Sequence, residues 1–148
     1  MEELTRAQCL ELMATVPVGR IGVSVRALPV ILPVNFVLVG ESIVFRTIPG
    51  TKLDAATANA VVAFQVDSYA LDGTSGWSVL VQGVSSEITD PKDMLALADI
   101  PLRAWALDDR VATRLVRIES SFISGRRFSK SADLNARAIS ARLGPSRI

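Results

Sequence analysis

The sequence contains no histidine. That absence removes imidazole acid–base catalysis, Ser-His-Asp and Cys-His nucleophilic sites, and histidine-ligated zinc or haem. Cysteine is almost as scarce. Cys9 stands alone, so an intrachain disulfide and a thiolate metal site are both excluded, and a reducing, cytoplasmic setting is expected. Aromatic residues are only 5% of a chain that is 49% apolar, which makes the core aliphatic. A spanning helix needs roughly 20 apolar residues in a row. The longest run here, Ala27 to Val39, is broken by Pro29, Pro33 and Asn35 and reads as buried strand. The opening Met-Glu-Glu-Leu-Thr-Arg lacks the basic and apolar regions of a secretory leader. An excess of either charge is missing too. With a net charge of +1, neither nucleic acid nor an acidic membrane surface is an expected partner.

What is present is one domain's worth of sequence, 148 residues, patterned mainly as strands. Leu4 to Val16 reads as a helix, with Thr5 and Gln8 spaced as a capping box and Leu4 and Cys9 as a hydrophobic staple. Cys9, Leu12, Met13 and Val16 share one face at helical spacing, which marks Cys9 as a core residue. Strand patterns follow at Ile21–Val25, Leu28–Val39 and Ser42–Thr47, the last two joined through Gly40-Glu41. A short helix is expected from Thr51 or Lys52 to Ala58, then strands at Ala60–Ser68 and Trp77–Ile88. Asp90-Pro91 opens a third helix, with proline at its favoured first position. After a connector from Leu102 to Asp109 come strands near Thr113–Ile118 and Phe122–Phe128. Trp105 has no motif around it and is assigned to packing. The expected domain is therefore residues 1–128. Residues 129–148, with Lys130, Arg137, Arg142 and Arg147 opposed only by Asp133, read as a basic tail, weakly helical or disordered.

Chemistry concentrates between Phe45 and Asp54. There a strand runs through Pro49-Gly50 into Thr51-Lys52, gathering Arg46, Thr47, Thr51 and Lys52 beside a turn. Cations, hydroxyls and free N–H groups in one place suit a phosphate monoester. The same letters also describe a strand, a turn and a capped helix whose charges face water. Alternation adds a constraint: Arg46 and Thr47 project to opposite faces of a regular strand, so they do not both point at one anion. Asn35, set among apolar strand residues, needs partners for its amide. Pro33 cannot donate to a ladder and marks an edge or a ligand-facing side. Of the adjacent Arg126 and Arg127, at most one reaches a shared site.

The order of the motifs carries more than any one of them. Val18-Gly-Arg-Ile-Gly22, Leu32-Pro-Val-Asn-Phe36, Val44-Phe-Arg-Thr47, Gly50-Thr-Lys52, Gly76-Trp-Ser-Val-Leu-Val-Gln-Gly83 and Ser124-Gly-Arg-Arg127 follow one another across most of the chain. In this succession the chain resembles the pyridoxamine 5′-phosphate oxidase-like family, the FMN-binding split barrels. The resemblance implies an all-β fold with small helices, a six-stranded antiparallel Greek-key split barrel, acting as a homodimer with flavin sites at the subunit interface. It implies cofactor binding by Pro33, Val34, Asn35 and Phe36 along the ring and ribityl chain. Arg46, Thr47, Thr51 and Lys52 would hold the phosphate, with Trp77, Ser78 and Val79 near the ring.

The family's vitamin B6 enzymes use an Arg and His motif near the C-terminus, whereas here the last strand ends Ser-Gly-Arg-Arg-Phe with no histidine. Oxidation of pyridoxamine phosphate is therefore not expected. What the resemblance leaves is an FMN-dependent reductase or oxidase of a small molecule, with no catalytic side chain and no metal. The deazaflavin coenzyme F420 is the alternative cofactor, and a non-enzymatic flavin-binding or sensing module the alternative of another class.

Overall fold

The structure, a computed structural model, describes residues 1–102 and 112–130. Most of the expected connector after Leu102, Trp105, and all but the first two residues of the expected tail lie outside them. The described residues form twelve elements: β1 (Glu2–Leu4), α1 (Arg6–Met13), β2 (Val18–Val25), β3 (Leu28–Asn35), β4 (Val37–Val39), β5 (Ser42–Thr47), α2 (Lys52–Ala56), β6 (Ala60–Tyr69), β7 (Ser75–Glu87), α3 (Pro91–Ala96), β8 (Arg114–Ile118) and β9 (Phe122–Ser129). Among the described residues no helix is long and apolar enough to cross a membrane.

The helices start where their caps dictate. The Thr5 hydroxyl accepts from Gln8 N while Gln8 Oε1 accepts from Thr5 N, closing the capping box at 3.3 and 2.9 Å. Cys9 and Met13, one helical turn apart, are fully buried. Asp90 caps α3 by accepting from Lys92 N at 2.8 Å, with Pro91 at the first position. The first helix is shorter than its pattern predicts. Leu4 is drawn into β1 by pairing with Gly125 of β9, and Thr15 Oγ1 caps the other end by donating to Leu12 O at 2.6 Å.

All nine strands belong to one antiparallel sheet, in the order β3-β2-β6-β7-β8-β5-β4, with β9 joining β7 to β1. This is the expected antiparallel split-barrel class with nine strands where six were expected. β1 adds one, and the long strand expected from Leu28 to Val39 is two. Its first half pairs with β2 and its second with β5, at opposite ends of the sheet. One chain cannot present both edges without turning, and it turns at Phe36, whose N–H donates to Pro17 O at 3.1 Å. The curled sheet is thus joined end to end by a single bent segment. Phe36 drops into the core and meets Phe64 edge-on, with ring centroids 4.9 Å apart.

β7 also changes partner. It pairs with β9 from Ser75 to Gln82 and with β8 from Ser85 to Glu87. Gly83 sits at the changeover, where an added Cβ would fall on the Glu119 carbonyl. Only glycine lets the 119–121 turn pass so close.

Two apolar clusters result. Ile43 and Phe45 point into the main core with Val34, Phe64 and Val79, while Val44 points the other way onto Ile88, Leu97 and Leu102. β5 is therefore covered on both faces. That places Thr47 on the core side and Arg46 on the side of the smaller cluster.

Candidate functional site

Thr47 is 1% exposed, and its hydroxyl donates to Asp54 Oδ1 at 2.9 Å. The other oxygen of Asp54 accepts from Gly50 N at 3.1 Å and from Arg114 Nη1 at 3.3 Å. Asp54 N in turn donates to Thr51 Oγ1 at 3.2 Å, and Thr51 Oγ1 donates to Ile48 O at 2.8 Å. The 48–54 turn is thus closed by an internal carboxylate, with Gly50 at φ 85° giving the chain its reversal. Arg46 is committed elsewhere: Nε donates to Leu102 O at 2.8 Å and Nη1 to Thr113 Oγ1 at 3.1 Å. Lys52 makes no hydrogen bond or ion pair with another described residue, and it is exposed.

Thr51 and Lys52 stand on one wall of a groove of about 1100 Å³. The β2–β3 hairpin forms the opposite wall with Ser24, Val25, Arg26, Leu28, Val30 and Leu32, and Gly50, Leu53, Ala55 and Ala56 complete the lining. Val25, Val30, Leu32, Leu53 and Ala56 pack against the main core, so the groove has a rigid apolar floor. Its two cations are Arg26 and Lys52. A volume just above the roughly 300–1000 Å³ usual for ligand pockets, apolar lining and few charged groups together suit a large, partly apolar anion.

The other expected residues lie elsewhere in the chain. Pro33 is exposed on β3 opposite Arg20, and Val34 is in the core at 4% exposure. Asn35 and Phe36 line a second cavity of about 830 Å³ with Met13, Val16, Pro17 and Leu102. At 3.3 Å per residue, Asn35 lies about 10 Å along β3 beyond Leu32, the last groove residue of that strand. Trp77, Ser78 and Val79 sit on β7 and line neither cavity. Val79 is fully buried, while Trp77 and Ser78 pair with Arg127 and Arg126 of β9. Both arginines are exposed, and they alternate across the strand. Arg26, Leu28, Val30, Leu32 and Asp54 were not expected at a site. A two-residue link between Val25 and Leu28 was the only signal for Arg26. Cys9 takes no part: burial pushes its thiol pKa up, and it packs in the core. Among the described residues no cluster of acidic, Cys or His side chains could hold a metal ion.

The sequence profile of the pyridoxamine 5′-phosphate oxidase family matches residues 5–127. The chain belongs to the pyridoxamine 5′-phosphate oxidase family. An uncharacterized protein of Mycobacterium tuberculosis is 32% identical over 130 residues, covering 84% of each chain. The FAD-binding protein of Mycobacterium smegmatis superposes with a TM-score of 0.77 at 34% identity, over 88% of this chain and 100% of that one. A conserved protein of unknown function from Corynebacterium diphtheriae gives 0.71 at 29% identity, over 86% and 97%. Family membership fixes the split-barrel fold and leaves the substrate open.

Proposed function

We propose that this chain binds a flavin nucleotide in the groove between the β2–β3 hairpin and residues 50–56, and serves as a flavin-dependent oxidoreductase of a small molecule. The observation that carries this reading is the pairing of an uncommitted ammonium, Lys52, with an apolar floor in one groove. The donor set fits the group. Lys52 supplies a charge-assisted bond to a phosphate, and Val25, Val30 and Leu32 supply apolar surface for a ring system. The M. smegmatis relative, named for FAD binding at 34% identity, supports a flavin as the cofactor class.

A bound flavin supplies hydride transfer from its own ring, so the protein need contribute no acid or base. That suits a chain without histidine. Here the residues' tasks are to bind and to orient. Asp54 holds the turn that presents Thr51 and Lys52, and the floor excludes water from one side of the ligand. Pyridoxamine phosphate is not proposed as substrate.

A second copy of the chain completes this reading. The outer face of β2, β3, β6, β7 and β9 carries Ile31, Val61, Val84 and Phe122, each between 43% and 77% exposed, around the small residues Gly22 and Ala63. Such a patch on an uncovered sheet face is what a homodimer buries. A dimer would also give Trp77 and Ser78 of β7 a place beside a site.

The test is an absorption spectrum of the purified protein, followed by titration with FMN, FAD and the deazaflavin. Binding of a flavin by the parent, weakened about tenfold or more in Lys52→Ala, supports the reading. Deazaflavin binding with no flavin binding would transfer the site to that cofactor. No binding of any of the three would overturn it.

A further inference from the structure

The β2–β3 hairpin turns on two residues, Arg26 and Ala27, between the paired Val25 and Leu28. Both have positive φ, 52° and 65°. Two-residue hairpin turns of this kind favour Asn-Gly or Gly-Gly, because a Cβ is strained in the left-handed region. Arginine and alanine are poor choices for the turn itself. Backbone strain at the rim of a groove points to a function for the side chain that stands there.

Arg26 lines the groove from the hairpin wall, and Lys52 lines it from the opposite segment. Neither makes a hydrogen bond or ion pair with another described residue. On the flavin reading Lys52 serves one phosphate. The groove, at about 1100 Å³, is larger than the roughly 300–1000 Å³ that drug-sized ligands occupy, which leaves room beyond a single phosphate. We propose that Arg26 holds a second phosphate of the cofactor, so that the groove selects a flavin diphosphate over a flavin monophosphate. Guanidinium suits this task because its fork of donors matches phosphate oxygens two at a time. This inference rests on the flavin reading above.

The experiment measures Kd for FMN and for FAD by quenching of flavin fluorescence, on the full chain and on Arg26→Asn and Lys52→Ala. Asparagine tolerates the left-handed conformation, so the hairpin is kept, and a melting temperature at or above the parent's verifies it. The parent is expected to bind FAD more tightly than FMN. Arg26→Asn should weaken FAD about tenfold, the size of one charge-assisted hydrogen bond, and leave FMN within about twofold. Lys52→Ala should weaken both. Equal loss of FMN and FAD in Arg26→Asn, or no loss of either, overturns the role of Arg26 while the flavin reading stands. Failure of the parent to bind either flavin overturns both.

Discussion

Thr47 and Asp54, seven residues apart, are joined by a 2.9 Å hydrogen bond beneath the 48–54 turn. The buried hydroxyl donates a hydrogen bond to a carboxylate that also accepts from Gly50 N–H and Arg114. An internal anion therefore occupies the centre of the segment whose sequence reads as a phosphate cradle. Its effect is to fix the turn, and so to set where Thr51 and Lys52 stand.

Asp54→Ala should cost about 2 kcal/mol, because it strands the Thr47 hydroxyl and the Gly50 N–H without an acceptor. The exposed half of the network, Arg114, contributes little of that. Urea unfolding measures the loss, and flavin titration should show weaker binding even though Asp54 is not on the groove's lining. Unchanged stability would mean that the turn holds without its carboxylate.

Arg46 gives a contrasting case. Its bonds to Leu102 O and Thr113 Oγ1 tie β5 to the segments around the smaller core cluster. Arg46→Met keeps the stem and removes the donors, so stability should fall by about 1–2 kcal/mol while flavin affinity stays within about threefold. A tenfold loss of affinity at unchanged stability would instead place the guanidinium on the phosphate.

Phe122→Lys tests the outer face. Phe122 is 74% exposed, and it shares a register row with Ile31 across Gly22, Ala63 and Gln82. A lysine there costs the isolated chain nothing, since the site is already solvated, but it places a charge in a buried interface. Sedimentation should show a dimer for the parent and a monomer for the variant. A monomeric parent would remove the face from consideration.

How much of this was legible follows from which forces were local. The Thr5–Gln8 box, the Asp90-Pro91 cap and the Ser42–Thr47 alternation depend on neighbours in sequence, and each appears where its letters place it. Glu2–Leu4 has no period of its own; the open edge of β9 makes it a strand. The bend at Phe36 arises from a change of partner, which no window of residues contains. At the site, Lys52 was legible because a turn and a cap precede it. Arg26 was not, since an arginine in a hairpin tip is ordinary until its φ is known. Asp54 marked only the end of the Phe45–Asp54 segment, and it is the folded turn that brings Thr47 beneath it.

Cys9 supplies a test by pH. Burial raises its pKa above the ordinary value of 9.0, with Arg6 and a backbone hydrogen bond opposing the shift. The folded chain thus holds this proton more tightly than the unfolded one. Its contribution to stability is complete below pH 9 and is lost as pH rises from 9 towards the folded pKa, because only the unfolded chain ionises in that window. Other groups titrate there too, so the informative quantity is a difference. Cys9→Ala loses packing at every pH, yet its stability should fall less steeply than the parent's above pH 9. Urea unfolding of both chains between pH 8 and 10.5 measures the two slopes. Parallel slopes would mean that the thiol is as free to ionise in the fold as in the open chain, contrary to its full burial against Gly125.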